Sequence, residues 1–433
     1  TYINNGLTLK DGSEVDISSS VKGYLKFNSD INAEFTGATG TINLIGGGGY
    51  LSSQVTENTI DSGITITSSD INAGLGGTLW INNGTISSNA MSVNSQFINN
   101  GTVNANSGGS TIFWGDVEFS PSSIVNINNG RLEIRPSTSW SNSGSVNMSS
   151  GLFLIGGSFK YSEVGDFTGR TGGDLRIISG YNADFDLEGN TWSNDGAVFG
   201  ANGATYVSGT IRNGSLGSVN GSSFDSSLGT LTFSSVNIAG TANFTTAAVS
   251  GDLLIPSGSI LNVTGNLTVS GQLSGSGTVT VGGVFTNNGS LLPGGEANVG
   301  ILSIDGNFSQ GSTGIISIEV ASASSYDVIE FNNPSTSISL IGGEITVDYL
   351  NGYLPSLSDS YQIISSNPPN PNLTYDLAVP QSFSIDSSLI SSGILSLNLN
   401  AKTWDNEGGD GLWTTVTNWS GDTLPTTSDF VFV

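Results

Sequence analysis

The sequence predicts an all-β protein, specifically a right-handed parallel β-helix (solenoid) with variable loops and a Trp-rich C-terminal segment. Three observations predict this fold class. Gly supplies 61 of the 433 residues while charged residues supply only 10%, short runs alternate apolar and polar residues, and one motif joining an aromatic residue to a glycine recurs. Because 36% of the residues are apolar, the chain has material for a core and is not expected to be disordered.

The alternating runs have the period of half-buried β-strands. In residues 261–285, Leu267, Val269 and Leu273 alternate with Thr, Ser and Gln, so one face of each strand is apolar. Similar runs occur in residues 229–240 and 342–350, and helix signals are nearly absent. These runs predict strands throughout the chain.

A recurring motif, aromatic-x-Asn-(Asn/Ser/Asp)-Gly-small-aliphatic, predicts the corners between strands. Its five copies begin at Trp80, Phe97, Trp140, Trp192 and Phe285. Looser copies lie at 3–6, 127–130 and 211–214, and the run Leu-Ile-Gly-Gly occurs at 44–47, 154–157 and 340–343. Asn and Gly tolerate positive φ, so we expect a tight corner. The aromatic residue before the corner and the aliphatic residue after it should then point into one interior.

The spacing of the motif favours a solenoid over other all-β folds. The interval from Gly84 to Gly101 is much shorter than the interval from Gly101 to Gly130. A propeller would keep a period of about 40–50 residues, whereas a solenoid tolerates variable loops, here with roughly 20 residues per coil. A string of β-sandwiches is the alternative, but the corners do not group into seven-strand blocks.

Charge and composition exclude several classes of function. Ten Lys and Arg residues oppose 35 Asp and Glu residues, for a formal charge of -25, which repels nucleic acid and anionic membranes. The absence of Cys and His removes disulfides, thiol nucleophiles and imidazole bases. No run approaches the length of about 18 apolar residues that a membrane span needs, so we expect no membrane insertion.

Residues 285–364 carry a series of ordered landmarks. They are Pro293-Gly294, Gly300–Gln310, Tyr326-Asp327, Gly342-Gly343 and Gly352–Pro355. In these landmarks the chain resembles the passenger regions of bacterial autotransporters and related adhesin-like β-helical surface proteins. The part of the chain that precedes them matches in style only. The resemblance implies a β-helix at the extracellular face of a bacterial cell, with a structural or adhesive role.

The C-terminal segment resembles the Trp-rich linker that begins a fresh β-helical block in similar surface proteins. The matching residues are Trp413, Asn418-Trp419, Pro425, Asp429 and Val431. We therefore expect a parallel β-helix block at 1–402 and a linker or the start of the next block at 403–433, within a mature product or an excised piece of a longer protein. The alternative is a cap over the end of the solenoid. A linker predicts that Trp404, Trp413 and Trp419 cluster on their own and that Phe430 and Val431 pack poorly.

Residues 182–190 hold the candidate catalytic residues, because many parallel β-helices cleave polysaccharides. If Ala183, Phe185 and Leu187 point inward, three carboxylates line the outer face: Asp184, Asp186 and Glu188. Alternate strand residues lie about 6.5–7 Å apart, which fits an inverting glycosidase. A solvated strand has the same pattern, and we expect no basic residue near this face. We therefore predict that the chain is not an enzyme.

Further polar residues suggest cation or sugar sites. Calcium prefers several oxygen ligands, and its candidates are Asp405, Asn406, Glu407 and Asp410, with a second set at Asp11, Glu14 and Asp16. The alternative for both sets is a polar linker.

Arg131 and Arg135 face outward if Leu132 and Ile134 face inward. One interpretation is that these arginines form ion pairs with a neighbouring strand. Asp116 and Glu118 are the acidic side chains that would face outward on that strand. A site for an acidic sugar is the other. Tryptophans before corners are expected to belong to the core.

The function that these observations favour is an extracellular cell-surface rod, a structural or adhesive spacer or interaction module of a larger repetitive protein. A carbohydrate-active β-helix enzyme or tailspike-like depolymerase is one alternative, and a surface-layer or filament subunit is another. The expected partners are surface polysaccharide or other copies of the chain. Calcium is the one candidate cofactor.

Overall fold

The computed structural model shows an all-β protein whose sheets form a parallel β-solenoid. It describes residues 2–3, 9, 12–18, 23–27, 39–45, 49–53, 57–106, 108–135, 139–193, 198–200, 204–218, 224–229, 231–333, 337–356, 359–366, 373–380, 382–386, 388–426 and 430–433. The chain divides into two compact units, Thr1–Val236 and Asn237–Val433. The predicted fold class is confirmed.

The first unit consists of short strands joined by corners. Its strands are β1 (Tyr2–Ile3), β2 (Ser13–Ser18), β3 (Gly23–Phe27), β4 (Gly40–Ile45), β5 (Gly49–Ser53), β6 (Asn58–Ile60), β7 (Ile64–Asn82), β8 (Thr85–Asn99), β9 (Thr102–Ala105), β10 (Ser110–Phe113), β11 (Val117–Phe119), β12 (Ile124–Ile134), β13 (Trp140–Asn142), β14 (Ser145–Ile155), β15 (Ser158–Lys160), β16 (Asp174–Ile177), β17 (Asp184–Asp186), β18 (Thr191–Ser193), β19 (Thr205–Val207) and β20 (Gly209–Gly217). Two 3₁₀ turns, Tyr161–Glu163 and Ser179–Tyr181, interrupt them. The strand β21 (Leu231–Ile238) contains the division between the units.

The strand pairs described in the first unit are parallel and join successive coils. Thr85 of β8 pairs with Thr102 of β9, and Thr111 of β10 pairs with Leu132 of β12. Further along, Leu152 of β14 pairs with Asp174 of β16. The sequence intervals between these partners match the coil length expected from the motif spacing, which is roughly 20 residues.

The motif residues line the interior, as predicted. The aromatic residues Trp80, Phe97, Trp140, Trp192 and Phe285 are all buried, and so are the aliphatic residues that follow the corners, Ile86, Val103, Val146, Val198 and Leu291. The aromatic rings pack against each other between coils, with centroids 5.2 Å apart for Trp140 and Phe159, which are tilted, and 4.6 Å apart for Phe159 and Phe185, which are stacked. Such contacts stabilise a core beyond simple burial.

The motif asparagine also points inward, which the sequence pattern did not predict. Asn82, Asn99, Asn142 and Asn287 are fully buried. The Asn82 amide donates to Asn99 Oδ1 at 2.6 Å in the next coil, and the other three amides donate to acceptors of their own. Each of these buried amide nitrogens is thus satisfied, where an unpaired one would cost roughly 1–3 kcal/mol.

The corner glycines do not use the positive φ that Asn and Gly tolerate. Gly84, Gly101 and Gly289 do not lie in that region. A Cβ on Gly101 would lie 2.1 Å from the carbonyl oxygen of Gly84, and one on Gly289 would lie 2.0 Å from that of Gly271. Glycine is therefore required for close approach of one coil to the next. Positive φ occurs instead in the looser copies, at Asn129 (56°) and Asn213 (57°).

The second unit continues the same coil design. Its strands are β22 (Thr241–Phe244), β23 (Ala247–Leu254), β24 (Ile260–Val263), β25 (Leu267–Val269), β26 (Gln272–Gly275), β27 (Thr278–Asn287), β28 (Ser290–Pro293), β29 (Ile301–Gln310), β30 (Ile315–Ser322), β31 (Ser325–Tyr326), β32 (Val328–Phe331), β33 (Ile338–Tyr349), β34 (Ser360–Ser366), β35 (Leu373–Ala378), β36 (Phe383–Asp386), β37 (Leu395–Leu399), β38 (Ala401–Thr403) and β39 (Phe430–Phe432). Its 3₁₀ turns are Leu350–Gly352, Ile390–Ser392 and Val416–Asn418. Among the described residues, no helix is both long and apolar enough to span a membrane.

Antiparallel pairing occurs in this unit between β30 and β31, where Val320 pairs with Tyr326, and again near the end of the parallel coils. The strand β37 lies antiparallel to both β34 and β36. Earlier in the unit, β27 and β29 pair in parallel, and their rings Phe285 and Phe308 lie 5.2 Å apart. The antiparallel strands therefore close the stack with paired backbone groups, which limits open edges.

The C-terminal segment forms a tryptophan cluster and one further parallel step. The ring centroids of Trp404 and Trp413 lie 5.8 Å apart, and each lies 5.0 Å from that of Trp419. Beyond the cluster, β39 pairs in parallel with β38, with Ala401 opposite Phe430. The expected tryptophan cluster is confirmed. Phe430 is less isolated than expected, because its ring lies 5.5 Å from that of Tyr349.

Candidate functional site

The candidate catalytic strand β17 has the predicted alternation. Phe185 and Leu187 are buried, and Asp184 and Asp186 lie on the outer face. The next coil places Arg212 of β20 opposite Asp186. Its guanidinium binds both carboxylates, with Nε 2.8 Å from Asp184 Oδ1 and Nη1 2.6 Å from Asp186 Oδ2.

The expectation that no basic residue lies near this face is therefore wrong. Arg212 lies far beyond Asp184 in the sequence, and only the parallel register of β17 and β20 brings them together. The looser motif copy at 211–214 contained this arginine, so the motif could have revealed the pairing once the coil register was known.

Glu188 leaves the strand and binds a different segment. Its φ is 51°, and its carboxylate accepts a hydrogen bond from the Ser162 N–H at 2.9 Å. The Ser162 donor lowers the pKa of Glu188 below its usual value. The three carboxylates therefore do not lie in one row along a strand.

The electrostatics of this face suit ionised carboxylates. Burial raises the pKa of Asp186, but the Glu188 N–H, the Asn213 amide and Arg212 outweigh it, so the pKa lies below its usual value. A glycosidase acid needs a raised pKa in order to hold its proton near neutral pH. Asp186 and Glu188 are poorly suited to that role, and Asp184 and Asp186 have the geometry of an ion-paired strand surface.

Arg131 and Arg135 face outward as predicted, with Leu132 and Ile134 fully buried between them. Their ion pairs go to Glu133 in their own strand, from Arg131 Nε at 2.5 Å and from Arg135 Nη2. The strand register does not favour the expected ion pairs of Arg131 and Arg135 with Asp116 and Glu118. The strand β11 pairs with β8 and β13, whereas β12 pairs with β9, β10 and β14.

Aromatic rings pack against Arg135 and against Arg176, an arginine of the strand β16. The Arg135 guanidinium lies 4.9 Å from the Trp114 ring centroid and 4.5 Å from that of Tyr181, and Arg176 lies 4.9 Å from that of Tyr206. Trp114 is 45% exposed. Sequence reasoning missed this grouping, although Trp114 is the one tryptophan before residue 403 that lies outside the corner motif.

The calcium candidates in the C-terminal segment are engaged in the loop itself. Asp410 accepts hydrogen bonds from the Leu412 N–H (3.0 Å), the Thr415 hydroxyl (2.5 Å) and the Asn418 amide (2.6 Å). The Thr415 hydroxyl is the largest cause of a lowered Asp410 pKa. Asp405 accepts from the Glu407 N–H at 3.3 Å, and Asn406 has a φ of 54°.

Within the described ranges, no three His, Cys, Asp or Glu side chains are grouped so as to hold a metal ion. In the second candidate set, the Asn43 amide donates to both Glu14 and Asp16, and Asp11 lies outside the described residues. Specific calcium binding stays a prediction.

Two buried carboxylates connect the landmarks of the second unit. Glu319 accepts the N–H groups of Ala297 and Asn298, each at 2.8 Å. Asp327 accepts those of Gly300 (2.7 Å) and Glu319 (2.9 Å). Burial raises the pKa of Asp327 to about 7, against the lowering effect of these two donors. The hydrogen bond from Gly300 to Asp327 thus connects the landmark Tyr326-Asp327 with the landmark that begins at Gly300.

Two polar clefts lie on the coil surfaces. One, of about 280 Å³, lies in the first unit beside Gln96, Glu118, Ser141 and Glu163. The other, of about 520 Å³, lies in the second unit beside Asn262, Thr280, Asp305 and Asn307. Both could offer hydrogen bonds to a sugar, but neither presents an exposed aromatic ring among its described lining residues.

No protein-family model matches this chain, and no curated protein matches its sequence. The β-solenoid that the autotransporter resemblance implies is present, and the resemblance to that group is carried by the quoted motifs alone.

Proposed function

We propose that the chain is an extracellular, cell-surface β-helical rod, which serves as a structural or adhesive spacer or interaction module of a larger repetitive protein. The observation that carries this proposal is the use of the recurring motif. Its aromatic, Asn and aliphatic residues are buried in the coil stack, and its glycine permits close coil approach. The repeated residues therefore maintain a scaffold, and the surface is left free to vary.

The C-terminal segment supports a role within a larger repetitive protein. The pairing of Ala401 with Phe430 is a parallel step whose two strands precede and follow the tryptophan cluster in the sequence. Parallel stacking thus resumes beyond the antiparallel strands β36 and β37, as it would at the start of another solenoid block.

The strand β17 supports a binding or structural role over hydrolysis. Its two carboxylates share Arg212, whose charge helps to hold the pKa of Asp186 below its usual value. A pair of this kind strengthens contact between adjacent coils.

Antibody labelling of intact cells tests the proposed location. Antibodies raised against the purified chain should label unpermeabilised cells of the organism that makes it, while an antibody against a cytoplasmic protein should label them only after permeabilisation. Labelling by both antibodies only after permeabilisation would overturn the proposal.

A further inference from the structure

We infer that the first unit carries a binding site for an acidic polysaccharide whose sugars bear carboxylates. The site consists of Trp114, Arg131, Arg135, Arg176 and Tyr206, called here the arginine–aromatic surface. This inference deepens the proposed role as an interaction module and rests on it for its biological setting.

The strand register places these side chains on one outer face. Ile112 pairs with Glu133, Glu133 with Leu154, and Leu154 with Arg176. Arg176 pairs in turn with Tyr206. Residues Trp114 and Arg135 directly follow the paired ends of β10 and β12, and Arg131 lies two positions before Glu133. The four steps from β10 to β19 cover about 19 Å at about 4.8 Å each, which suits a chain of several sugars better than a single one.

Arginine is concentrated on this face. Three of the ten Lys and Arg residues in a chain of formal charge -25 lie here, opposed by Glu133, Asp174 and, one step beyond Tyr206, Asp225. The local charge is therefore balanced, whereas most of the remaining surface repels an acidic polymer. This face is where the approach of such a polymer costs least.

The arginines retain hydrogen-bond donors for a ligand. Each guanidinium has five N–H groups. Arg135 gives one nitrogen to Glu133, and Arg176 reaches Asp174 at 3.4 Å. The Nε atoms of Arg135 and Arg176 lack an acceptor in the part of the chain that the structure describes, but both atoms are buried, so a ligand has to bind the other N–H groups. Arg131 keeps 42% of its side chain exposed.

The aromatic rings fix the geometry of the site. Arg135 is held between the rings of Trp114 and Tyr181, so little side-chain freedom remains to be lost on binding. Trp114 is 45% exposed and offers a flat apolar surface to the C–H face of a pyranose ring. The planar guanidinium matches the planar carboxylate in a two-point contact, which favours a uronic acid over a sulfated sugar.

Binding of the purified full-length chain to polygalacturonate oligomers tests the inference. Isothermal titration at low salt should show binding that weakens in about 0.5 M NaCl, because the contact is charged. Fully methyl-esterified oligomers should not bind. The variants Trp114→Ala and Arg176→Gln should each weaken the affinity about tenfold.

Matched controls separate this site from general effects. Trp413→Ala removes another exposed tryptophan, and Lys160→Gln removes another exposed positive charge. Both should bind within about twofold of the unmodified chain. If Trp114→Ala fails to fold, Arg131→Gln replaces it, since Glu133 keeps its contact with Arg135.

Equal affinity for esterified oligomers, unchanged affinity in the Trp114 and Arg176 variants, or binding of dextran sulfate in place of polygalacturonate would each overturn the inference. Because titration uses the purified chain, a failure to bind leaves the proposed surface location intact. Intracellular labelling would conversely overturn the location and leave the binding result standing.

Discussion

At the scale of single residues, the alternation of β17 was predictable and its partner was not. The sequence pattern placed Phe185 and Leu187 inside and Asp184 and Asp186 outside, as observed. The contact with Arg212 depends on the register between coils, which cannot be read from the sequence because the loops vary in length. The inward Asn82 and the close approach at Gly101 were hidden for the same reason, because each is defined by the neighbouring coil.

Replacing Arg212 should weaken the first unit through the loss of two ion pairs. The side chains of Arg212 and Asp184 are each about one-third exposed, at 34% and 32%, so Arg212→Gln should lower the unfolding free energy by only about 1 kcal/mol. Arg212→Lys keeps the charge without the two-point geometry, so its unfolding free energy should lie between those of Arg212→Gln and the unmodified chain. Urea unfolding of the three proteins measures this, and an Arg212→Gln variant as stable as the unmodified chain would contradict the structural role.

Asp327 should make the stability of the second unit depend on pH. Its pKa is raised from 3.8 to about 7 by burial, so the folded state holds a proton that the unfolded state has lost. The stabilisation is complete below about pH 4 and is lost as the pH rises towards 7. Removing the titration in Asp327→Asn should therefore flatten the fall in stability over this range.

Urea midpoints at several pH values between 4 and 8 measure this effect. The exposed Asp252 supplies a matched control, since Asp252→Asn changes the net charge equally and should keep the original slope. If Asp327→Asn and Asp252→Asn show the same pH dependence, Asp327 does not titrate as inferred.

At the scale of elements, the strands and corners followed from alternation and the recurring motif, whereas the antiparallel strands did not. β36 and β37 have the same alternating pattern as parallel strands, because side-chain period does not depend on pairing direction. The tryptophan cluster was predictable from the spacing of Trp404, Trp413 and Trp419. The contact of Phe430 with Tyr349 was not, since the two rings are distant in the sequence and meet only through the fold.

Deleting residues 403–433 distinguishes a linker from a cap. As a linker, the segment packs mainly on itself, and the 1–402 fragment should melt close to the full chain, because β37 already pairs with β34 and β36. A cap would leave apolar coil ends exposed on deletion. Size-exclusion chromatography and a melting curve of the fragment measure this, and marked aggregation or a much lower melting temperature would contradict the linker.

At the scale of the whole molecule, the charge of -25 should make stability depend on cations. Divalent cations relieve repulsion among the 35 acidic residues, so about 5 mM Ca²⁺ should raise the melting temperature relative to chelator. A Na⁺ solution of equal ionic strength is the control. The same shift in Na⁺ would show that screening alone acts, while no shift in either would contradict the effect of charge.

Fold class was predictable at this scale because composition and a repeated motif act along the entire chain. The surface sites were harder to predict from the sequence, because they combine residues from several coils, such as Trp114, Arg135 and Arg176. A solenoid keeps its core residues periodic and its surface irregular. A sequence pattern therefore describes the interior better than the binding face.

The claim that this solenoid binds and supports without cleaving is tested most directly by incubating the purified chain with acidic and neutral polysaccharides. Chromatography of the products should show polymers of unchanged length and no new reducing ends, because Asp184 and Asp186 are held by Arg212. Shortened polymers, with cleavage abolished by Asp186→Asn and retained in Arg176→Gln, would contradict it and identify the chain as an enzyme.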